Sequence, residues 1–161
     1  MKRRLLGIAA VLWFLCACAA PVPSRSNTPY QLYFTSTLDH GPSIVSQPYD
    51  ADESPTPEEL IQALLSGPSQ EGLRSPFPQG LTLRRCTLEE THLTVDFSEQ
   101  YSGLTDISLT LADYCVVLTV CQLEGIDSVE ITVSGRPLNY RSHQILTAAE
   151  AVLTEERTQG N

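Results

Sequence analysis

Positive charge is scarce in this chain of 161 residues: ten Lys and Arg stand against nineteen Asp and Glu, a formal net charge of −9. Three of those cations, Lys2, Arg3 and Arg4, occupy the extreme N-terminus, so the rest of the chain carries seven against nineteen, or −12. Such a body is repelled by phosphate backbones, which excludes general nucleic-acid binding. Long apolar runs are also missing. The longest, Leu5 to Leu15, covers only about half of a bilayer core of roughly 30 Å at about 1.5 Å per residue. There is no glycine-rich phosphate loop, no nucleophile-elbow sequence, and no Cys-x-x-Cys or His-x-x-x-His spacing. The length excludes two full domains with connectors. The apolar fraction of 42 % excludes wholesale disorder, and nine scattered Gly with eleven Pro exclude a fibrous repeat.

What is present begins with an address. Met1 to Arg4 is basic, the apolar run follows, and Leu15-Cys16-Ala17-Cys18 closes it before Ala19-Ala20-Pro21. This is the pattern of a secretory signal core, not a stable span. The four-residue segment resembles the bacterial lipobox, which implies cleavage behind Ala17 and a diacylglycerol thioether on Cys18. Cys16 is the alternative acceptor, although Trp13-Phe14-Leu15 suits the pattern poorly, and plain secretion with two incidental cysteines is the simpler reading. Residues 1–17 are thus expected as signal peptide and 18–28 as a lipid-anchored tether. Its Pro-bearing, polar stretch from Ala19 to Thr28 reaches about 33 Å when extended, at roughly 3.3 Å per residue.

Tyr30 to Thr35 alternates as a strand, with Tyr30, Leu32 and Phe34 on one face. Thr37 to Ser54 reads as a polar loop. Its acids Asp50, Asp52 and Glu53 lack the order of a calcium loop. Thr56-Pro57-Glu58-Glu59 starts a helix through a cap, a first-turn proline and a capping box, and Gly67-Pro68 ends it. Leu81 to Leu88 and His92 to Phe97 read as a hairpin, with a bulge near Arg84-Arg85 restoring the phase of the first strand. Ser108 to Leu123 is predicted as a deeply packed helix, and Val129, Ile131 and Val133 mark a last strand. The order is βαββαβ, an α+β two-layer sandwich with both helices on one face of a small sheet. The domain is placed at residues 29–141. A tail, 142–161, carries a short helix after the capping-box pattern Thr147-Ala148-Ala149-Glu150.

Pro57-Glu58-Glu59-Leu60-Ile61-Gln62-Ala63-Leu64-Leu65-Ser66-Gly67-Pro68-Ser69 resembles the first helix and following turn of the GerM domain. Leu93-Thr94-Val95-Asp96-Phe97-Ser98 resembles that family's second hairpin strand. The run from Val117 through Gly125-Ile126-Asp127-Ser128-Val129 to Ser134-Gly135 resembles its second helix and last strand. Glu89-Glu90 departs from the pattern where a glycine-bearing turn is expected, and Cys115 and Cys121 punctuate the helix. The resemblance implies a cell-surface domain of sporulation and germination, similar in fold to ring-building modules of secretion-type assemblies. It brings no catalytic set, and it implies a life near the cell wall.

Three cysteines remain for the body: Cys86, Cys115 and Cys121. An odd number cannot all pair internally, and Cys115 and Cys121 lie about 9 Å apart along one helix, beyond disulfide reach. A bridge from Cys86 to either stays open beside the alternative of buried free thiols. A zinc site or a nucleophile pair built on Cys86 and His92 lacks supporting spacing. Glu58 and Glu59 sit where a helix dipole favours carboxylates, which explains them without glycoside cleavage. Arg84 and Arg85 should point to opposite faces of a strand. His40 and His143 fall in loops.

The sequence therefore predicts a non-enzymatic lipoprotein on the extracytoplasmic side of the cell membrane, using no cofactor and no metal. Its partners are expected to be extracytoplasmic proteins, peptidoglycan or a second copy, met through an open sheet edge. A cell-wall hydrolase or thiol-dependent envelope factor is the alternative; it requires a cleft with polar groups in working geometry.

Overall fold

The computed structural model describes residues 30–36, 43–51 and 54–151. The signal segment, the tether with Cys18, and His40, Asp52 and Glu53 lie outside the described residues. Strand β1, Tyr30–Ser36, buries Leu32 and Phe34 as its alternation predicts. It is the middle strand of a three-stranded sheet. On one side β2, Ser43–Tyr49, runs antiparallel to it over all seven residues. On the other, β3, Leu73–Arg74, pairs with Thr35 and Ser36.

Strand β2 corrects the expectation of a continuous loop from Thr37 to Ser54. Its Ser, Gln and Pro content hides it from propensity, and tertiary pairing overrides that weak signal. Pro48 is accommodated because β2 is an edge strand. Buried Gln47 explains the rest. Its Oε1 accepts from the backbone N–H of Ser69 at 3.0 Å and of Gln70 at 3.2 Å, tying β2 to the turn after the first helix.

Helix α1, Pro57–Leu65, begins as the sequence predicts. The Thr56 N–H donates to Glu59 Oε2 at 2.7 Å, and the Glu59 N–H donates back to Thr56 Oγ1 at 3.2 Å. The Thr56 N–H, joined by the Thr56 hydroxyl donating to the same Oε2 at 3.0 Å, holds the Glu59 carboxyl below the usual carboxylate range. Leu60, Ile61 and Leu64 are fully buried, each contributing about 1.5–3 kcal/mol relative to exposure. Gly67, at φ +88°, carries the left-handed turn that stops the helix.

The second sheet contains β4 (Leu83–Glu89), β5 (His92–Phe97), β6 (Ser128–Val133), β7 (Arg136–Pro137) and β8 (Ile145–Leu146). Its order is β4-β5-β6-β7, with β8 also paired to β6. The hairpin register shifts between Leu83 and Arg85, which is the bulge the phase change demands. Strands β5 and β6 are parallel, so a crossover must join them. That crossover is α2, Asp106–Val120. The βαββαβ core and the α+β sandwich stand as read; the strands divide between two sheets, and the chain past residue 141 continues the second through β8.

Helix α2 touches β1, α1 and β6, and its buried residues wrap well beyond one stripe, as a helix packed on several sides must. At its end Gln122 acts like a strand neighbour: it accepts from the Gln31 N–H at 2.8 Å and donates to the Gln31 carbonyl at 2.6 Å. Phe34, Leu93, Val95, Phe97, Val116, Val120 and Ile131 form the centre of a single core, where Phe97 stacks on Tyr101 at 4.9 Å.

Candidate interaction surfaces

Strand parity separates the residues that a Cys/His site would need. Cys86 pairs with Val95, placing it on the face of Leu93, Val95 and Phe97, whereas His92 belongs to the opposite face with Thr94 and Asp96. His92 Nδ1 lies 2.8 Å from Ser128 Oγ, and its Nε2 is 3.8 Å from Glu130 Oε2. Cys86, Cys115 and Cys121 are all free thiols. Burial pushes Cys86 up to about 12, with the Glu58 carboxylate adding to the effect, and burial alone pushes Cys115 up to about 12. Cys121 is raised for the same reason. Thiols in that state are poor nucleophiles at neutral pH. Among the described residues no group of three His, Cys, Asp or Glu is placed to hold a metal ion.

The bulge alters the expected placement of the arginines. Arg85 stands opposite Asp96 in the register, and Arg84 Nε reaches the same carboxylate at 3.2 Å, so they do not divide cleanly between two faces. Asp96 Oδ1 also accepts from Thr132 Oγ1 at 2.9 Å and from the Gly135 N–H at 2.7 Å, fixing the turn between β6 and β7.

A buried polar network, unremarked in the sequence reading, joins α2 to the chain beyond β7. Arg141 Nε and Nη2 donate to the two Asp113 carboxylate oxygens at 2.8 and 2.7 Å, and Nη1 donates to the Ile131 carbonyl at 2.7 Å. The Tyr101 hydroxyl donates to Asp113 Oδ1 at 2.7 Å. Burial pushes the Asp113 carboxyl up, while Arg141 and the Tyr101 hydroxyl pull it back. The available signal was an aspartate inside the most apolar helix of the chain, which must find a partner.

Above this pair lies a half-open groove of about 560 Å³. One wall is α2 from Thr105 to Tyr114, and the other is the segment from Tyr140 to Leu146. The acid at its floor, Asp113, is engaged by Arg141, while Asp106 and His143 also line the groove. A second cavity of about 410 Å³ lies among Tyr30, Pro55, Pro57, Leu88, Leu123 and Ile126.

That second cavity adjoins the open edge of the larger sheet. Among the described residues β4 has a strand partner on one side only, and Arg84, Arg85, Thr87, Leu88 and Glu89 are exposed. Glu89 pairs with His92 across a two-residue loop, so that closing pair is hydrogen-bonded. By alternation, the backbone groups of Leu88 and Cys86 then face outward. Leu88, with 48 % of its surface exposed, lines the cavity beside that edge.

Residues 31–139 match the model of the Germane family, described as sporulation and spore germination. Two solved structures of the sporulation protein GerM from Bacillus subtilis share the fold. The first GerMN domain aligns at TM-score 0.61 and 18 % identity, covering 75 % of this chain and 98 % of that one. The tandem GerMN domains align at 0.60 and 20 %, covering 74 % of this chain and 44 % of the longer one, so this chain spans less than half of the tandem structure. A candidate lipoprotein from Clostridium perfringens aligns at 0.53 and 23 %, covering 74 % and 87 %. No curated protein sequence matches the chain.

Proposed function

The chain belongs to the Germane family of sporulation and spore germination, and from that membership we propose that it is a non-enzymatic lipoprotein that holds extracytoplasmic partners in sporulation, germination or envelope assembly. Cys18 is its lipid attachment point. Two acyl chains anchor stably where one is marginal, and the tether lets the acidic body stand clear of the membrane surface.

The observation that carries the binding role is the β4 edge with its neighbouring cavity. An added strand would gain backbone hydrogen bonds from Cys86 and Leu88, and the cavity lined by Leu88, Tyr30 and Ile126 would take one of its apolar side chains. The charges of Arg84, Arg85 and Glu89 and the bulge guard the edge against indiscriminate pairing. The non-enzymatic part is supported by the thiols held protonated, by Glu59 spent on a helix cap, and by Asp113 spent on Arg141.

A photo-cross-linking residue at Leu88 in intact cells tests this reading, with Val45 on the other sheet as the comparison. An adduct from Leu88 and none from Val45 is expected. No adduct from Leu88, or equal adducts from both, contradicts the edge. Release of fragments from purified cell wall, abolished by Cys86→Ala or Glu59→Gln, contradicts the non-enzymatic reading.

A further inference from the structure

We propose that the groove between α2 and the Tyr140–Leu146 segment binds a short uncharged glycan, with the Tyr140 ring as its stacking platform. This rests on the envelope-binding reading above and names a ligand class for a surface separate from the β4 edge. The groove's 560 Å³ falls within the range of small-molecule sites, roughly 300–1,000 Å³.

Charge decides the class of ligand. Arg141 is the strongest cation in the lining, and its charge is matched bidentately by Asp113, so it has little left for an anion. Asp106 adds a carboxylate to the lining, and the chain as a whole is strongly acidic, which disfavours a polyanion further. The pairing also occupies Asp113, so a cationic ligand is left only the exposed carboxylate of Asp106. A neutral ligand needs neither of the paired charges.

The remaining groups suit a ligand that is apolar on one face and hydroxylated around its rim, which is the chemistry of a pyranose. Tyr140 is 53 % exposed, yet its hydroxyl donates to the Ser102 carbonyl at 2.9 Å. The ring is thus held in place before anything binds, so stacking costs little ordering. Tyr114 lines the same groove from α2, and Thr105, Thr110, Ser142 and Asp106 supply hydroxyl and carboxylate partners for a sugar's rim.

Saturation-transfer NMR on the full chain in zwitterionic, sugar-free detergent micelles tests the proposal, with an N-acetylglucosamine trimer as probe. Transfer to the sugar C–H protons is expected, weakened about tenfold in affinity by Tyr140→Ala. Tyr140→Phe keeps the ring and removes only the bond to Ser102, so it should retain most of the binding. Val45→Ala on the other sheet should change nothing. If Tyr140→Ala does not fold, Thr110→Arg, which fills the groove from an exposed helix position, should abolish transfer in its place. No transfer at millimolar sugar, or undiminished binding in both groove variants, overturns the proposal. Transfer to a lysine tripeptide but not to the sugar overturns the ligand class. None of these outcomes bears on the Leu88 cross-link, which judges the edge-strand reading independently.

Discussion

Cys115 couples burial to a measurable pH dependence. In the unfolded chain it titrates from 9.0, whereas burial in the native protein pushes it up to about 12. Between those values the unfolded chain has released a proton that the folded chain retains. Its contribution is therefore complete below pH 9 and is lost as pH rises toward 12. Denaturant midpoints should fall across that window, and Cys115→Ala should flatten part of the fall, with Cys86 responsible for another share. Native Cys115 should also resist alkylation at neutral pH and react on unfolding. Glu90 is the other instructive residue. It occupies the hairpin turn at φ +56°, a conformation that costs a residue with a Cβ about 1–2 kcal/mol. Glu90→Gly should raise stability by about 0.5–1 kcal/mol once glycine's extra chain entropy is subtracted, read as a higher urea midpoint. The sequence singled out Glu89-Glu90 as a departure from a glycine-bearing turn; the left-handed backbone at Glu90 gives that departure its physical meaning. Asp113 was legible in principle but not in practice, because its partner lies 28 residues away and no local pattern names it.

Among the elements, those specified by local chemistry were legible and those specified by tertiary pairing were not. The capping box and proline start of α1, the hairpin, its bulge and the crossover helix all follow from spacing within a few residues. So does the bond from the Thr147 N–H to Glu150 Oε2 at 2.9 Å, which begins the helical turn after β8. Strand β2 exists because β1 offers it an edge, and β3, β7 and β8 are too short to show periodicity. The segment beyond β7 depends on Arg141 in particular. Breaking that ion pair leaves Asp113 charged and buried, so Arg141→Met should cost about 3–5 kcal/mol. The double variant Asp113→Leu, Arg141→Met should cost less than Arg141→Met alone, since it removes the orphaned charge. Hydrogen exchange should localise the single variant's loss to β8, where Leu146 is buried and Ile145 exposed.

For the molecule as a whole, the proposed anchor at Cys18 and the proposed recognition edge at β4 occupy separate parts of the chain. Cys18→Ser should leave the precursor uncleaved or release the protein into the medium; unchanged processing and membrane fractionation would contradict lipid attachment. The family was visible in the sequence because the α1 turn, the β5 strand and the α2-to-β6 run recur in order. An open edge was expected, but its place on β4 was not legible because it is a property of sheet order, and neither was the groove, where two segments meet through a buried ion pair. The fold is shared with solved structures at 18–23 % identity, and a shared fold does not by itself fix the sites on its surface. The central claim is that partners add a strand to β4. Amide hydrogen exchange across residues 85–89, in the protein alone and bound to the partner captured through Leu88, tests it most directly. Protection of the Cys86 and Leu88 amides on binding, with β2 unchanged, is the predicted result; unaltered exchange along β4 in the bound protein would contradict it.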